Sequence, residues 1–194
     1  MARLIRSQSA KVHALRTKIA EVAIQLFLAD GFDQTTVEAI AAAAGSSRRS
    51  VFRYFATKED MALAWTTATG PDLVKQVLEL APNPQNQPIQ AALSAVQRHV
   101  EQHQELHAIS LAVAHLIEHT PSLRARDHEK YLVWEELLAN ALLTRGAVPT
   151  QGRMAAALAL AGLRLAVREW LACQGQEPLA HLLAAAYQPF RQLT

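Results

Sequence analysis

Apolar residues return at helical spacing early in the chain: Val12, Leu15, Ile19, Val22, Ala23, Leu26 and Phe27. They fall on one face of an α-helix that follows a polar arm, residues 1–10, and Gly31 stands where a left-handed C-terminal cap belongs. Thr35-Thr36-Val37-Glu38 then predicts a capping box, with Thr35 accepting from the free amides and Glu38 reaching back. The short helix it opens runs through Ala44. Gly45-Ser46-Ser47 breaks that helix, and Ser47 caps a third one, Arg48 to Phe55. Thr57 caps the next, with Glu59 and Asp60 in its first turn.

Longer helices follow. One covers 58–69, and Gly70-Pro71 ends or kinks it before a piece at 72–80. The Pro-rich stretch from Ala81 to Pro88 is the best linker in the chain. Further helices are expected over 88–104, 105–118, from Pro121 to just before Gly146, over 151–173 and over 177–192. The expected fold class is all-α, with about nine helices.

Composition agrees with this pattern. Ala (37) and Leu (27) make about a third of the 194 residues, and aromatics are 6%, which disfavours sheets. Apolar residues at 51% support a sizeable core. The single cysteine, Cys173, excludes an internal disulfide and a cysteine-based zinc site. The first residues lack the apolar core of a signal peptide, and the longest apolar stretch, Met154 to Val167, contains Arg164. The expectation is a cytoplasmic protein without membrane partners.

Charge adds a polarity. The formal net charge is +2, but residues 1–58 hold nine Lys/Arg against four Asp/Glu, and the remainder ten against thirteen. A basic end on a mildly acidic body suits a polyanion. Two short helices joined by a glycine turn have the layout of a helix-turn-helix. In the second of them Val51 and Phe55 can face inward, leaving Arg48, Arg49, Ser50, Phe52, Arg53 and Tyr54 on or near the outer surface. Three arginines and no acid on so short a helix are unusual for a mere helical corner.

Over residues 12–63 the chain resembles the tetracycline-repressor (TetR/AcrR) family. The residues that carry the likeness are Arg16, Ile19, Ala23, Leu26-Phe27, Gly31-Phe32, Thr35-Thr36-Val37, Ile40-Ala41, Ala44-Gly45, Tyr54-Phe55 and Lys58-Glu59. The resemblance implies a homodimeric repressor that binds a palindromic double-stranded operator and leaves it on meeting a small apolar or amphipathic effector. It implies a helix-turn-helix domain at 1–57 and an effector-binding and dimerisation bundle at 58–194. The DNA-binding residues carried over are Thr36, Ser46, Ser47, Arg48, Arg49, Ser50, Arg53, Tyr54 and Lys58, with Thr36 and Lys58 on phosphates. Ser46 replaces a frequent aliphatic residue, and Phe52 replaces a common tyrosine and so lacks its phosphate-binding hydroxyl.

Elsewhere the chemistry is sparser. His99, His103 and His107 are four apart, a spacing that suits metal sharing on one helix, but His103 and His107 should straddle a helix break. No metal and no cofactor is expected. Trp65, His103, His107, Tyr131, Trp134 and Glu135 are the candidate effector-contacting residues. Small residues at Ala155, Ala159, Gly162 and Ala166, with Leu158 beside them, and Ala180, Ala184 and Gln188 on the last helix, form narrow stripes expected at a dimer seam. No phosphate-binding glycine loop, nucleophile elbow or paired-carboxylate motif appears, so no enzyme is expected. The competing reading is a helical ligand- or metal-binding protein whose basic end docks an acidic partner protein.

Overall fold

The computed structural model describes residues 2–80, 87–104 and 107–191, with side chains from residue 14 onward except those of Trp65, Ala68 and Arg191. Among these residues all regular structure is helical. The helices are α1 (Ala2–Asp30), α2 (Val37–Ala43), α3 (Arg48–Tyr54), α4 (Lys58–Ala62), α5 (Ala64–Ala68), α6 (Gly70–Leu78), α7 (Pro88–Gln102), α8 (His107–His119), α9 (Pro121–Thr144), α10 (Pro149–Ala172) and α11 (Leu179–Arg191). The expected polar arm at 1–10 is helical from Ala2, since no glycine or proline interrupts residues 2–30. The expected helix over 58–69 is interrupted at Leu63, whose carbonyl receives both the Thr67 amide and the Thr66 hydroxyl. Pro71 starts α6 rather than stopping a helix, because a missing N–H costs nothing in a first turn.

The chain divides into two compact units: Met1–Thr67 with Leu116–Arg126, and Ala68–His115 with Asp127–Thr194. In the first, α1 packs on α2, α3 and α4. Ile19, Ala23 and Phe27 of α1 meet Ile40, Val51, Phe55 and Met61 in one buried cluster. Leu123 of α9 is fully buried in the same cluster, with Leu116 and Ile117 of α8 against it. This contribution from the C-terminal half left no local signal in the sequence.

In the second unit α10 packs on α7 and α11, and α6 packs on α7. Here the dimer stripe needs correction. Ala155, Ala159, Gly162 and Ala166 are buried within the chain itself, as is Ala180, so no second copy can reach them. They let α11 come close: a Cβ on Gly162 would lie 2.4 Å from Cε1 of Tyr187. The Tyr187 hydroxyl donates to the Ala159 carbonyl at 2.8 Å. What α10 turns outward is a stripe beside the expected one, with Met154, Ala161 and Leu165 exposed and Leu158 half-buried. On α11 Ala184 is half-buried and Gln188 exposed.

Candidate nucleic-acid interface

The geometry of α2 and α3 follows from three local devices. Thr36, one residue later than expected, is the N-cap of α2, and its hydroxyl accepts from the Ala39 amide at 3.1 Å. Thr35 is instead buried and donates to the Gly31 carbonyl at 2.8 Å, fastening the turn after α1. The amide-capping role shifted because a buried hydroxyl needs a partner of its own. Gly45 takes φ +64°, a left-handed conformation that makes the sharp turn between the helices inexpensive. Ser47 then caps α3 by accepting from the Ser50 amide at 3.1 Å, and the two serine hydroxyls lie 3.0 Å apart.

Of the seven residues of α3, Val51 is the buried one. Arg48, Arg49, Phe52 and Arg53 are exposed, and Ser46, Ser50 and Tyr54 are half-buried. Arg48 Nε forms an ion pair with Glu38 Oε1 of α2 at 3.0 Å, and its guanidinium carbon lies 5.4 Å from the Phe52 ring centre. Arg53 donates to the Tyr54 hydroxyl at 2.6 Å. Glu38 thus orients an arginine instead of completing a capping box.

Lys58 differs from expectation. Its ammonium donates to the carbonyls of Phe32 at 2.8 Å and Thr35 at 3.0 Å and lies over the Phe32 ring. Two of its three protons therefore serve the fold, tying the start of α4 to the α1–α2 turn. The same helix start is held by a capping box between Thr57 and Asp60. Arg126 of α9 donates to Asp60 through Nε at 3.1 Å and Nη2 at 2.8 Å. Burial pushes the Asp60 carboxyl up, but the hydrogen bonds from Arg126 and Thr57 and the Arg126 charge outweigh it and hold it below its ordinary value.

The residues expected around an effector separate into two places in the second unit. Tyr131 and Trp134 of α9 are buried edge to face, with ring centres 5.9 Å apart. His99 of α7 meets Trp134 at 5.7 Å and His103 at 4.6 Å. His103 Nδ1 is bonded to the His99 carbonyl at 2.7 Å. His107 belongs elsewhere: it bonds the Gly175 carbonyl at 3.1 Å and meets Trp170 edge-on at 5.0 Å. The break after α7 parts it from His103, and Glu135 stays half-buried. The Trp65 side chain lies outside the described residues. Among the described residues, no group of three His, Cys, Asp or Glu side chains is placed to hold a metal ion.

Sequence reading missed the charged part of this cluster. Lys130 is buried over both the Tyr131 and Trp134 rings, at 4.5 and 4.9 Å, and is paired with Asp127 at 2.5 Å. Arg164 of α10 lies over the Tyr131 ring at 5.3 Å. The signal was the i, i+3, i+4, i+7 spacing of Asp127, Lys130, Tyr131 and Trp134, which shares one helix face. Burial lowers the Lys130 pKa against the pull of Asp127, and raises that of Tyr131. Burial, then the charges of His103 and Lys130, lower His99 to about 4 despite Asp72. His99 Nδ1 and Trp134 Nε1 are buried without a hydrogen-bond partner.

Two short capped helices around a left-handed glycine, the second showing three arginines outward, define a helix-turn-helix DNA-binding protein. Comparison with known proteins gives the family. Residues 19–65 match the family model of bacterial regulatory proteins, tetR family, and residues 84–192 match that of the MftR C-terminal domain. The HTH-type transcriptional regulator TcmR of Streptomyces glaucescens is 34% identical over 171 residues, 82% of this chain and 74% of that protein. MftR of Mycobacterium tuberculosis is 32% identical over 177 residues, 87% of this chain and 85% of that one. The fold resembles Thermus thermophilus FadR, a TetR-family transcriptional repressor solved with lauroyl-CoA (TM-score 0.59, 23% identity, 89% of this chain and 91% of that chain). The chain belongs to the TetR family and is a DNA-binding transcriptional regulator.

Proposed function

We propose that this regulator is a cytoplasmic homodimeric repressor of a palindromic operator, released by an apolar or amphipathic organic effector. The observation that carries the DNA part is α3 itself: Arg48, Arg49 and Arg53 stand outward on a helix anchored by Val51. Arg48 and Arg49 open the helix, the end that usually meets base edges, while Arg53, Tyr54, Thr36 and the serines 46, 47 and 50 serve phosphates or flanking bases. Lys58 contributes its third proton at most. Functionally, the DNA-binding part is 1–57, and 58–194 senses the effector and dimerises.

Two copies meet through the outward faces of α10 and α11, where Met154, Leu158, Ala161 and Leu165 repeat at 4-3-4 spacing beside Ala184 and Gln188. The effector contacts the Tyr131–Trp134–His103 cluster and Glu135; that a FadR neighbour was solved with lauroyl-CoA supports an amphipathic effector. The helix that carries this cluster also carries Arg126, bound to Asp60 at the start of α4. Displacing α9 therefore changes α4, and the paired recognition helices leave the spacing of whole DNA turns. Effector and operator then oppose each other by a coupling of about 1–3 kcal/mol.

The test is selection of duplexes from a random pool by the purified protein, then titration of selected and scrambled DNA at several salt concentrations. A palindromic consensus bound with a steep salt slope is expected. Equal affinity for both DNAs with a flat slope refutes the reading and favours an acidic protein partner.

A further inference from the structure

We propose that Phe52 reads the 5-methyl group of a thymine beside a guanine read by Arg48, so that each half-operator contains one thymine whose methyl group binding requires. The inference rests on the recognition-helix reading above and goes beyond it by assigning a specificity role to an apolar residue.

Phe52 is 44% exposed on a helix whose inward contacts are supplied by Val51, Tyr54 and, just past its end, Phe55. Among the described residues Phe52 is not one of those packed on the buried cluster of its unit, and a phenyl group left in water forgoes the stabilisation that burial brings. It has no hydroxyl for phosphate. What a phenyl ring on a major-groove helix can recognise is an apolar base edge, and among the four bases only thymine presents one in that groove, its 5-methyl group.

The neighbouring arginine fixes where that thymine lies. Residues 48 and 52 share a helix face, being four apart. Glu38 Oε1 lies 3.0 Å from Arg48 Nε in an ion pair, which draws the inner side of the guanidinium toward α2 and suits its two terminal nitrogens to an outward partner. Those two nitrogens match the O6 and N7 acceptors of guanine. The guanidinium carbon is 5.4 Å from the centre of the Phe52 ring, between one and two base-pair steps of ~3.4 Å. A guanine under Arg48 therefore puts a base one or two steps away under Phe52. The acidic partner of Arg48 belongs to this device: Glu38 is a positioning residue, holding the fork so that ring and guanidinium present side by side.

The experiment replaces each thymine of a selected operator, one at a time, by deoxyuridine, which removes only the methyl group. Wild type should lose about fourfold in affinity at one symmetry-related position per half-site, the worth of one methyl group taken out of water, and almost nothing at the others. Phe52→Ala should bind more weakly but identically to thymine and uracil at that position, with unchanged far-UV helicity. Phe52→Leu, still apolar, should retain part of the methyl preference. Wild-type insensitivity to every thymine-to-uracil change, or a Phe52→Ala variant that keeps the full preference, overturns the assignment while the regulator reading stands. Failure of the wild-type protein to select any duplex overturns both.

Discussion

Replacing Gly162 by alanine separates two physical effects of opposite sign. In a solvent-facing helix interior, Gly→Ala stabilises by about 1 kcal/mol because alanine loses less backbone entropy on folding. At Gly162 the added Cβ would lie 2.4 Å from Cε1 and 2.9 Å from Cδ1 of Tyr187, whereas ordinary contact begins at 3.4 Å. Tyr187 is fully buried, so its ring cannot swing into water. Either α11 shifts outward or the ring leaves its rotamer, and overpacking of this kind costs about 1–3 kcal/mol. A shifted ring also loses the bond from its hydroxyl to the Ala159 carbonyl, about 1 kcal/mol more. After the helix-propensity gain, the net destabilisation is about 1–3 kcal/mol. For a chain of this size that lowers Tm by about 2–4 °C per kcal/mol. Thermal and urea unfolding followed by far-UV circular dichroism at matched protein concentration reads it, since association adds to apparent stability. In a Tyr187→Leu background the penalty of Gly162→Ala should largely vanish. A Gly162→Ala protein that melts at or above the wild-type temperature refutes the account of how α10 and α11 pack.

Three other outcomes are expected. His99 binds its proton near pH 4 when folded and near 6.5 when free, so its contribution is complete above pH 6.5 and is lost as pH falls toward 4. The loss is about 3 kcal/mol; urea titrations across that interval should show His99→Phe with a flatter pH slope, and equal slopes count against the buried neutral imidazole. Lys58→Ala should lower stability by about 1 kcal/mol through the two lost carbonyl bonds, with little change in the salt slope of DNA binding; a slope reduced by about one with unchanged melting restores Lys58 as a phosphate contact. Glu38→Gln should narrow the affinity ratio of operator to scrambled DNA and strengthen binding to scrambled DNA, because it loosens Arg48 and removes a negative charge beside the phosphates; an unchanged ratio removes Glu38 from the positioning role.

The DNA-binding half was legible because its signals are local. Gly45 and Ser47 specify the turn and the cap within a few residues, and Val51 and Phe55 show their inward face by spacing alone. The sequence pattern places the cap of α2 one residue early because Thr35 and Thr36 are equally good caps, and only the burial of Thr35 decides between them. The stripe on α10 shows a harder ambiguity. Alanines and glycine at close-packing spacing announce that some helix approaches, and the pattern is the same whether that helix is α11 of the same chain or a second copy. The Lys130–Asp127 pair is illegible for a related reason: a lysine next to Glu129 reads as solvated until the folded chain buries it over the Tyr131 and Trp134 rings. Leu123 in the first unit depends on a contact across most of a hundred positions, beyond any windowed pattern.

That α3 fully buries only Val51, with Tyr54 packed partly against the same core, has a consequence for how such genes diverge. Mutations at the outward positions 48, 49, 52 and 53 fall in the class of surface changes that usually alter stability by no more than about 0.5 kcal/mol. A duplicated copy of this gene can therefore drift through many operator preferences while remaining folded, with the glycine turn and the threonine and serine caps unaltered. Regulatory circuits can be rewired at those positions in steps that each leave a well-folded protein, and a library randomised there should yield mostly folded regulators.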